Sequence, residues 1–138
     1  MPENLMEQIV QQALDENPQE CCGLLSGIHS GESWLVQHCF PLRNVARSMF
    51  RYRADVQELL QVSREIRRSG EVELVVYHSH PGSLAVPSQT DLKENGWGTS
   101  AMHLIISLAD DFPTCRGWWL LPDSYVEANW FVINNPSY

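Results

Sequence analysis

The stretch Glu71-Val-Glu-Leu-Val-Val-Tyr-His-Ser-His-Pro81 decides the fold. Its apolar, β-branched first half is typical of a buried strand, and Pro81 ends it because proline lacks the N–H that a sheet requires. Side chains two positions apart on a strand point to the same face. His78 and His80 are therefore predicted to lie side by side at the end of this strand, while Ser79 points to the other face.

A serine and a carboxylate follow the histidines at a spacing that brings them back to the strand end. Ser88 and Asp91 lie in the segment Ser88 to Asn95, which is predicted to be a short helix. Positions three apart share one face of a helix, so the two side chains point in one direction. Two imidazoles and one carboxylate are ligands that suit a catalytic zinc, which leaves its fourth position to water. The pattern predicts a metal site made of His78, His80 and Asp91.

The same residues have simpler explanations when each motif is taken alone. A lone His-x-His pair is more often structural or incidental. Ser88-x-x-Asp91 before a helix also matches a capping box, with Ser88 as the N-cap. The metal site is favoured by the combination of two same-face histidines, a helix-borne carboxylate and a hydroxyl within fourteen residues.

A hydrolytic site of this kind also needs a general base to take a proton from water. Glu20 is the best candidate because it opens the apolar segment Cys21 to Leu25, a predicted strand, so that its carboxylate could project from the rim of the sheet. Glu71 lies well back on the histidine strand, and Glu73 points to the opposite face. Spacing alone explains Glu20 equally well as a charged residue at the end of a loop.

Helices and further strands surround the histidine strand in the predicted order α, β, β, α, β, short α, β, β, β. An apolar stripe at helical spacing predicts the first helix over residues 3–16, and the second is predicted from Asp55, its N-cap, to Arg68. The remaining predictions are a turn at Gly27–Gly31 and strands at Trp34–Phe40, Met102–Leu108, Cys115–Leu121 and Val126–Ile133. A mixed sheet flanked by helices, an α/β fold, buries the apolar faces of these elements.

Composition and charge limit the class of function. The chain has 138 residues, 43% of them apolar and 19% charged, as expected for a single domain over residues 1–138. Its net charge of −8 argues against a nucleic-acid partner. No apolar run approaches the ~20 residues needed to cross a bilayer, and no signal peptide is evident. We expect a cytoplasmic protein, because its four cysteines form no Cys-x-x-Cys pair or disulfide framework: Cys21, Cys22, Cys39 and Cys115.

One basic segment departs from the acidic composition. Arg43, Arg47, Arg51 and Arg53 fall within eleven residues and make up nearly half of the nine basic residues. The segment is either a solvated loop or a docking surface for an acidic or carboxylate-bearing partner.

These motifs together resemble the JAMM (MPN+) metallopeptidases. That family combines a distant Glu, His-Ser-His-Pro, seven residues from the second His to a Ser, and Ser-x-x-Asp. The segment Pro18-Gln-Glu-Cys-Cys-Gly-Leu-Leu-Ser-Gly27 resembles its Pro-x-Glu-x-Cys-Gly strand, and Asn44 and Tyr52 to Asp55 resemble the region before its second helix. The resemblance covers about residues 1–135. It implies an MPN/JAMM-like, cytidine-deaminase-like fold.

The resemblance also implies an activity and a role for each residue. It implies one zinc ion held by His78, His80 and Asp91, Glu20 as the general acid/base, and Ser88 as the hydrogen-bond donor to the oxyanion. The compact chain resembles the small prokaryotic members. The implied substrate is a peptide or isopeptide bond after the Gly-Gly terminus of a ubiquitin-like or ThiS/MoaD-type sulfur-carrier protein.

Two other classes of function remain open at the level of sequence. A non-catalytic MPN scaffold or a structural zinc is the first, although structural zinc usually has four ligands, often including Cys. The second is a zinc hydrolase of a small-molecule amide. A zinc deaminase is not supported, since the chain lacks a His-x-Glu and a Pro-Cys-x-x-Cys motif. Leu84 and Val86, in the loop before Ser88, are expected either to line a substrate groove or to pack inward.

Overall fold

The computed structural model describes residues 1–134 as one mixed sheet with helices on both faces. The helices are α1 (Glu3–Glu16), α2 (Val56–Ser69) and α3 (Gln89–Lys93). The strands are β1 (Cys22–Ser30), β2 (Ser33–Leu42), β3 (Val72–His80), β4 (Met102–Ser107), β5 (Thr114–Leu120) and β6 (Tyr125–Glu127). In the sheet the strands follow the order β2-β1-β3-β4-β5-β6. The predicted α/β class and order of elements are confirmed.

The histidine strand β3 is central, and its two neighbours run in opposite directions. It pairs antiparallel with β1 and parallel with β4. Parallel strands cannot be joined by a tight turn, because the chain has to return to the starting end of the sheet. Residues 81–101 form this crossover and carry α3 over the end of β3.

The two faces of the sheet have separate cores. On one face, α1 packs Leu5, Ile9 and Ala13 against apolar side chains of the sheet. The other face holds two smaller clusters, one with Ile66 of α2 and one packed against Leu92 of α3. The histidines lie on this second face, between the two clusters.

The helix boundaries follow the sequence signals closely. The first helix spans residues 3–16 as predicted. Asp55 caps α2 by accepting a hydrogen bond from the Glu58 N–H at 3.1 Å, and Gly70 ends it with a φ of 80°, which glycine adopts at little cost. Within residues 1–134, no helix is long and apolar enough to span a membrane.

The predicted turn at Gly27–Gly31 is wrong, because β1 continues to Ser30. Gly27 lies inside the strand at a β-bulge opposite β2, where a Cβ atom would come within 1.9 Å of the Leu35 carbonyl oxygen. The hairpin turns at Gly31 and Glu32 instead, and Gly31 has a φ of 64°. Position 27 is therefore glycine because the Leu35 backbone of β2 approaches it too closely for a side chain, and not because the chain turns there.

The predicted last strand, Val126–Ile133, is also wrong in its extent. It ends at Glu127, and the chain then leaves β5 for the start of α1. There Ile133 forms a parallel bridge with Pro2, and its N–H donates to the Met1 carbonyl at 2.8 Å. Ala128 and Trp130 pack on the core that contains α1, whereas Phe131 and Val132 are exposed. Alternation along the sequence does not specify this change of course.

The close approach at Gly27 generates a stability prediction. We expect Gly27→Ala to lower the free energy of unfolding by about 1–3 kcal/mol, since a backbone carbonyl cannot move aside without disturbing the β1–β2 hairpin. Gly96→Ala is the matched control, because nothing lies within 4 Å of a Cβ atom there. Urea unfolding followed by circular dichroism compares the two variants. Equal stability of both variants would contradict the steric explanation.

Candidate metal centre

His78, His80 and Asp91 meet at the end of β3. The Nε2 atoms of the two histidines are 3.2 Å apart, and each lies 3.2 Å from Oδ2 of Asp91. All three residues are buried, with exposed fractions of 0%, 4% and 7% for the whole residues. The structure therefore brings together three candidate ligand atoms from β3 and α3, although His80 and Asp91 are eleven residues apart in sequence.

The triangle of ligand atoms matches the requirements of a metal ion. A tetrahedral ion with bonds of about 2.0–2.1 Å separates its ligands by about 3.3 Å, close to the three separations in the structure. Two neutral imidazoles and one carboxylate also leave a fourth position open. Among residues 1–134, His78, His80 and Asp91 form the group of His, Cys, Asp or Glu side chains whose donor atoms lie close enough together to hold a metal ion.

Burial and hydrogen bonding act in opposite directions on Asp91. Burial raises the pKa of its carboxyl group, but hydrogen bonds with His78 and His80 outweigh burial and hold the pKa well below its usual range. The carboxylate is therefore ionised and able to act as a ligand. A cation in the triangle would also compensate this buried negative charge.

A backbone carbonyl fixes the orientation of His80. Its Nδ1 lies 2.8 Å from the carbonyl oxygen of Leu84, which can only accept, so Nδ1 carries the proton and Nε2 presents its lone pair to the triangle. The loop that supplies this carbonyl is fastened to the sheet. Ser107 donates to the Ser83 carbonyl at 2.6 Å, and the Trp118 Nε1–H donates to the Ala85 carbonyl at 2.9 Å.

His78 is held differently. Its ring stacks on the ring of Tyr52, with centroids 4.6 Å apart and planes 24° from parallel. Its Nδ1 atom is buried and has no hydrogen-bond partner among the described residues. Tyr52 was not expected at the site from side-chain chemistry; only its place in the segment before α2 gave a signal.

Ser88 and Asp91 form the capping box that the sequence allowed. The Ser88 hydroxyl oxygen accepts from the Asp91 N–H at 3.0 Å, and Asp91 Oδ2 accepts from the Ser88 N–H at 2.9 Å. The same carboxylate oxygen faces both histidines, so the cap orients the candidate ligand. The capping contact uses the Ser88 oxygen as an acceptor, and the hydroxyl proton remains able to donate.

Glu20 lies beside His80 on the same face of the sheet. Cys22 pairs with His78, and the Ser79 N–H donates to the Cys21 carbonyl, so the strand direction places Glu20 opposite His80. The Glu20 side chain is 2% exposed, and its Oε1 atom has no hydrogen-bond partner among the described residues. Burial is the main reason that the pKa of Glu20 rises to about 8.

The loop after β2 holds the Glu20 backbone from both sides. The Glu20 N–H donates to the Ser48 carbonyl at 2.8 Å, and the Asn44 amide donates to the Glu20 carbonyl at 2.9 Å. Asn44 also accepts from the Ala46 and Arg53 N–H groups, so its own side chain is fixed. The role of Asn44 as a support for Glu20 could not be deduced from the sequence, where it is a single amide in a loop.

The basic segment is only partly available as a docking surface. Arg43 pairs with Asp55, and Arg51 pairs with Glu94 at 2.8 Å. The docking interpretation therefore rests on Arg47 and Arg53.

The two apolar loop residues before Ser88 differ in their surroundings. Leu84 is 63% exposed, whereas Val86 packs on the cluster that contains Ile105. Of the two, Leu84 alone is free to line a groove.

Cysteine chemistry is separate from the candidate centre. Cys21 and Cys22 are buried and free, and burial raises the pKa of the Cys21 thiol to about 12. Cys22 neighbours His78 in the sheet, but its Sγ lies 3.6 Å from the Leu42 carbonyl. Both thiols therefore behave as small apolar groups in the core.

The fold and the His-His-Asp centre define a JAB/MPN-type domain. The family of prokaryotic homologs of the JAB domain (Prok-JAB) matches residues 2–121, and the chain belongs to this family. The family resemblance inferred from the motifs is confirmed.

Three relatives are named for peptidase or conjugate-cleaving activity. A CysO-cysteine peptidase from Mycobacterium tuberculosis is 37% identical over 90 residues, 65% of this chain and 60% of that protein. A "Probable TtuB-protein conjugate cleaving protease" from Thermus thermophilus is 37% identical over 98 residues, 70% of this chain and 63% of that protein. A desampylase from Haloferax volcanii is 33% identical over 107 residues, 77% of this chain and 74% of that protein. The chain thus matches less than two thirds of the length of the first two relatives.

Solved structures share the whole fold. The solution structure of a protein from Desulfitobacterium hafniense is 31% identical, with a TM-score of 0.84, and covers 99% of this chain and 92% of that chain. A JAB1/MPN domain protein from Archaeoglobus fulgidus is 20% identical, with a TM-score of 0.58 over 94% of this chain and 92% of that chain. The predicted MPN-like fold is therefore confirmed.

The converging ligand atoms generate a binding prediction. We expect the purified chain to bind about one equivalent of Zn²⁺, and His78→Ala and Asp91→Ala to lose stoichiometric binding because each removes one of the three candidate ligands. His29→Ala, at an exposed histidine on β1, is the control and should bind like the parent chain. Metal analysis after dialysis measures the stoichiometry. Full occupancy in His78→Ala would contradict the assignment of ligands.

Proposed function

We propose that this chain is a zinc-dependent peptidase that hydrolyses the bond after the C-terminal Gly-Gly of a ubiquitin-like or ThiS/MoaD-type sulfur-carrier protein. The observation that carries the proposal is the convergence of His78, His80 and Asp91 within 3.2 Å, with the buried carboxylate of Glu20 on the same face. Three donors with an open fourth position suit catalysis better than a closed structural site.

Glu20 acts as the general base and then as the general acid. A zinc ion, when bound, supplies a Lewis acid that polarises the scissile carbonyl and lowers the pKa of water to about 7. Glu20 takes the proton from the attacking water and delivers it to the leaving amine, so its carboxylate is regenerated in each cycle. Burial raises the pKa of Glu20 above that of an exposed carboxylate, and the positive charge of a bound cation would lower it again, so that the carboxylate is ionised and able to take a proton.

Ser88 donates a hydrogen bond from its hydroxyl group to the oxyanion that develops at the scissile carbonyl. Its oxygen is fixed by the Asp91 N–H, so the donor is oriented before substrate arrives. Ser88 thus has two contacts with separate consequences, one for the stability of α3 and one for the reaction.

A diglycine terminus fits the depth of the centre. The candidate ligands are almost completely buried, and a backbone without side chains approaches buried atoms with the least obstruction. The names of two relatives refer to CysO-cysteine and to TtuB-protein conjugates, which supports a small carrier protein with a modified C-terminus as the substrate. Leu84, exposed at the rim, is positioned to contact the tail of such a carrier.

We also propose that residues 1–138 work as one cytoplasmic domain. One continuous sheet joins the described elements, and Pro2 pairs with Ile133 across the two ends of the described chain. The four cysteines are free, which supports a reducing compartment.

The first functional test uses a carrier protein with a C-terminal extension after Gly-Gly. We expect the zinc-loaded chain to release the extension, detected by mass spectrometry, and a chelator to abolish release. A carrier with Ala-Ala in place of Gly-Gly is the matched control. Zinc binding without cleavage of any diglycine-ended carrier would favour the scaffold, and cleavage of short amides alone would favour a small-molecule hydrolase.

Glu20→Gln separates the base from the metal. The amide is nearly isosteric but cannot take a proton, so we expect cleavage to slow by about a hundred- to ten-thousandfold while zinc stoichiometry is unchanged. Single-turnover cleavage and metal analysis on the same preparation measure both quantities. Substantial turnover by this variant would refute the role of Glu20.

Ser88→Ala and Ser88→Gly separate the hydroxyl from the cap. Both remove the donor, and we expect both to lower kcat about a hundred- to a thousandfold. Loss of the cap should cost about 1 kcal/mol of stability in Ser88→Ala and only a few tenths in Ser88→Gly. Kinetics and urea unfolding together compare the variants. If kcat falls in Ser88→Ala, which loses more stability, but stays near the parent value in Ser88→Gly, Ser88 acts only as a helix cap.

A further inference from the structure

The two histidines of the candidate centre are supported unequally. His80 has an acceptor for its Nδ1–H, the Leu84 carbonyl at 2.8 Å. His78 presents Nε2 to the same triangle, so its Nδ1 must also carry the proton, yet that atom is buried without a hydrogen-bond partner among the described residues. Metal-ligating histidines nearly always donate this second N–H to an acceptor.

A third histidine lies close to His78 on the same face of the sheet. His103 of β4 pairs with Val76 of β3, and His78 pairs with Ile105, so the two histidines are diagonal neighbours on adjacent parallel strands. His103 is 2% exposed, and neither of its ring nitrogens has a hydrogen-bond partner among the described residues. Its other sheet neighbour, Trp118, supplies no acceptor, because an indole N–H can only donate, and this one already donates to the Ala85 carbonyl.

Two unpaired ring nitrogens are costly in a core position. A buried polar group without a partner costs about 1–3 kcal/mol, and an apolar side chain of similar size would avoid that cost. Neutral imidazole offers one donor and one acceptor nitrogen. The acceptor nitrogen of a neutral His103 is the kind of partner that the Nδ1–H of His78 lacks.

We propose that His103 is a positioning residue, which accepts the Nδ1–H of His78 through one buried water and so holds His78 in the tautomer that binds metal. A buried water needs at least two polar partners: it would accept from the Nδ1–H of His78 and donate to the unprotonated ring nitrogen of His103. Burial is the main reason that the pKa of His103 falls to about 4, so the ring stays neutral near pH 7 and keeps its acceptor. The inference rests on the proposed metal-dependent function.

The test measures zinc affinity by competition with a chromophoric chelator. We expect His103→Leu to bind Zn²⁺ about tenfold or more weakly, as is typical when the partner of a metal-ligating histidine is lost. His103→Gln, whose amide oxygen accepts, should recover most of the affinity. Met102→Leu, the adjacent β4 position on the opposite face, is the control and should bind like the parent chain. Thermal unfolding of the metal-free variants separates this effect from damage to the fold, because His103→Leu should be at least as stable as the parent.

Each outcome has a distinct meaning. Parent-like affinity in His103→Leu overturns the role of His103 and leaves the proposed function intact. Absence of zinc binding by the parent chain overturns both. If His103→Leu does not fold, ¹⁵N NMR of the zinc-loaded parent chain decides: a single neutral tautomer of His103 and a slowly exchanging Nδ1–H on His78 support the proposal. Rapid averaging between tautomers of His103 overturns it.

Discussion

The parallel pairing of β3 with β4 is the constraint on which the rest of the structure depends. Parallel neighbours require a long crossover, and here the crossover from β3 to β4 passes over the end of β3. It brings Asp91 above the two histidines, with the Leu84 carbonyl and the Ser88 cap on the same connection. A tight hairpin after Pro81 would have left the histidines without their third partner.

The polar groups of the centre are concentrated at a cost to stability. Among residues 1–134, five buried side-chain nitrogen or oxygen atoms lack a hydrogen-bond partner, and four of them belong to Glu20, His78 and His103. Unsatisfied groups of this kind are rare in folded cores and usually mark function. The same groups are those that a metal ion, a proton transfer or a bridging water would use.

Membership in the Prok-JAB family gives the fold, and the side chains of the centre argue for the chemistry. A catalytically inactive domain could keep the same sheet and lose the donors, whereas this chain has the full set of donors within a few ångströms. The deep burial of these donors is one of the observations behind the proposed diglycine substrate.

The sequence by itself determined the order of the elements and the candidate ligand set. The same-face pair His78 and His80 follows from strand alternation, and Ser88 and Asp91 follow from helix spacing, because both are local geometric rules. Tertiary structure alone decided which distant residues become neighbours of the candidate ligands. The β1–β3 register places Glu20 beside His80, and the parallel pairing of β3 with β4 places His103 diagonally beside His78. It also decided that β1 passes through Gly27 and that the chain leaves the sheet after Glu127. These features depend on contacts between segments distant in sequence, which local patterns do not encode.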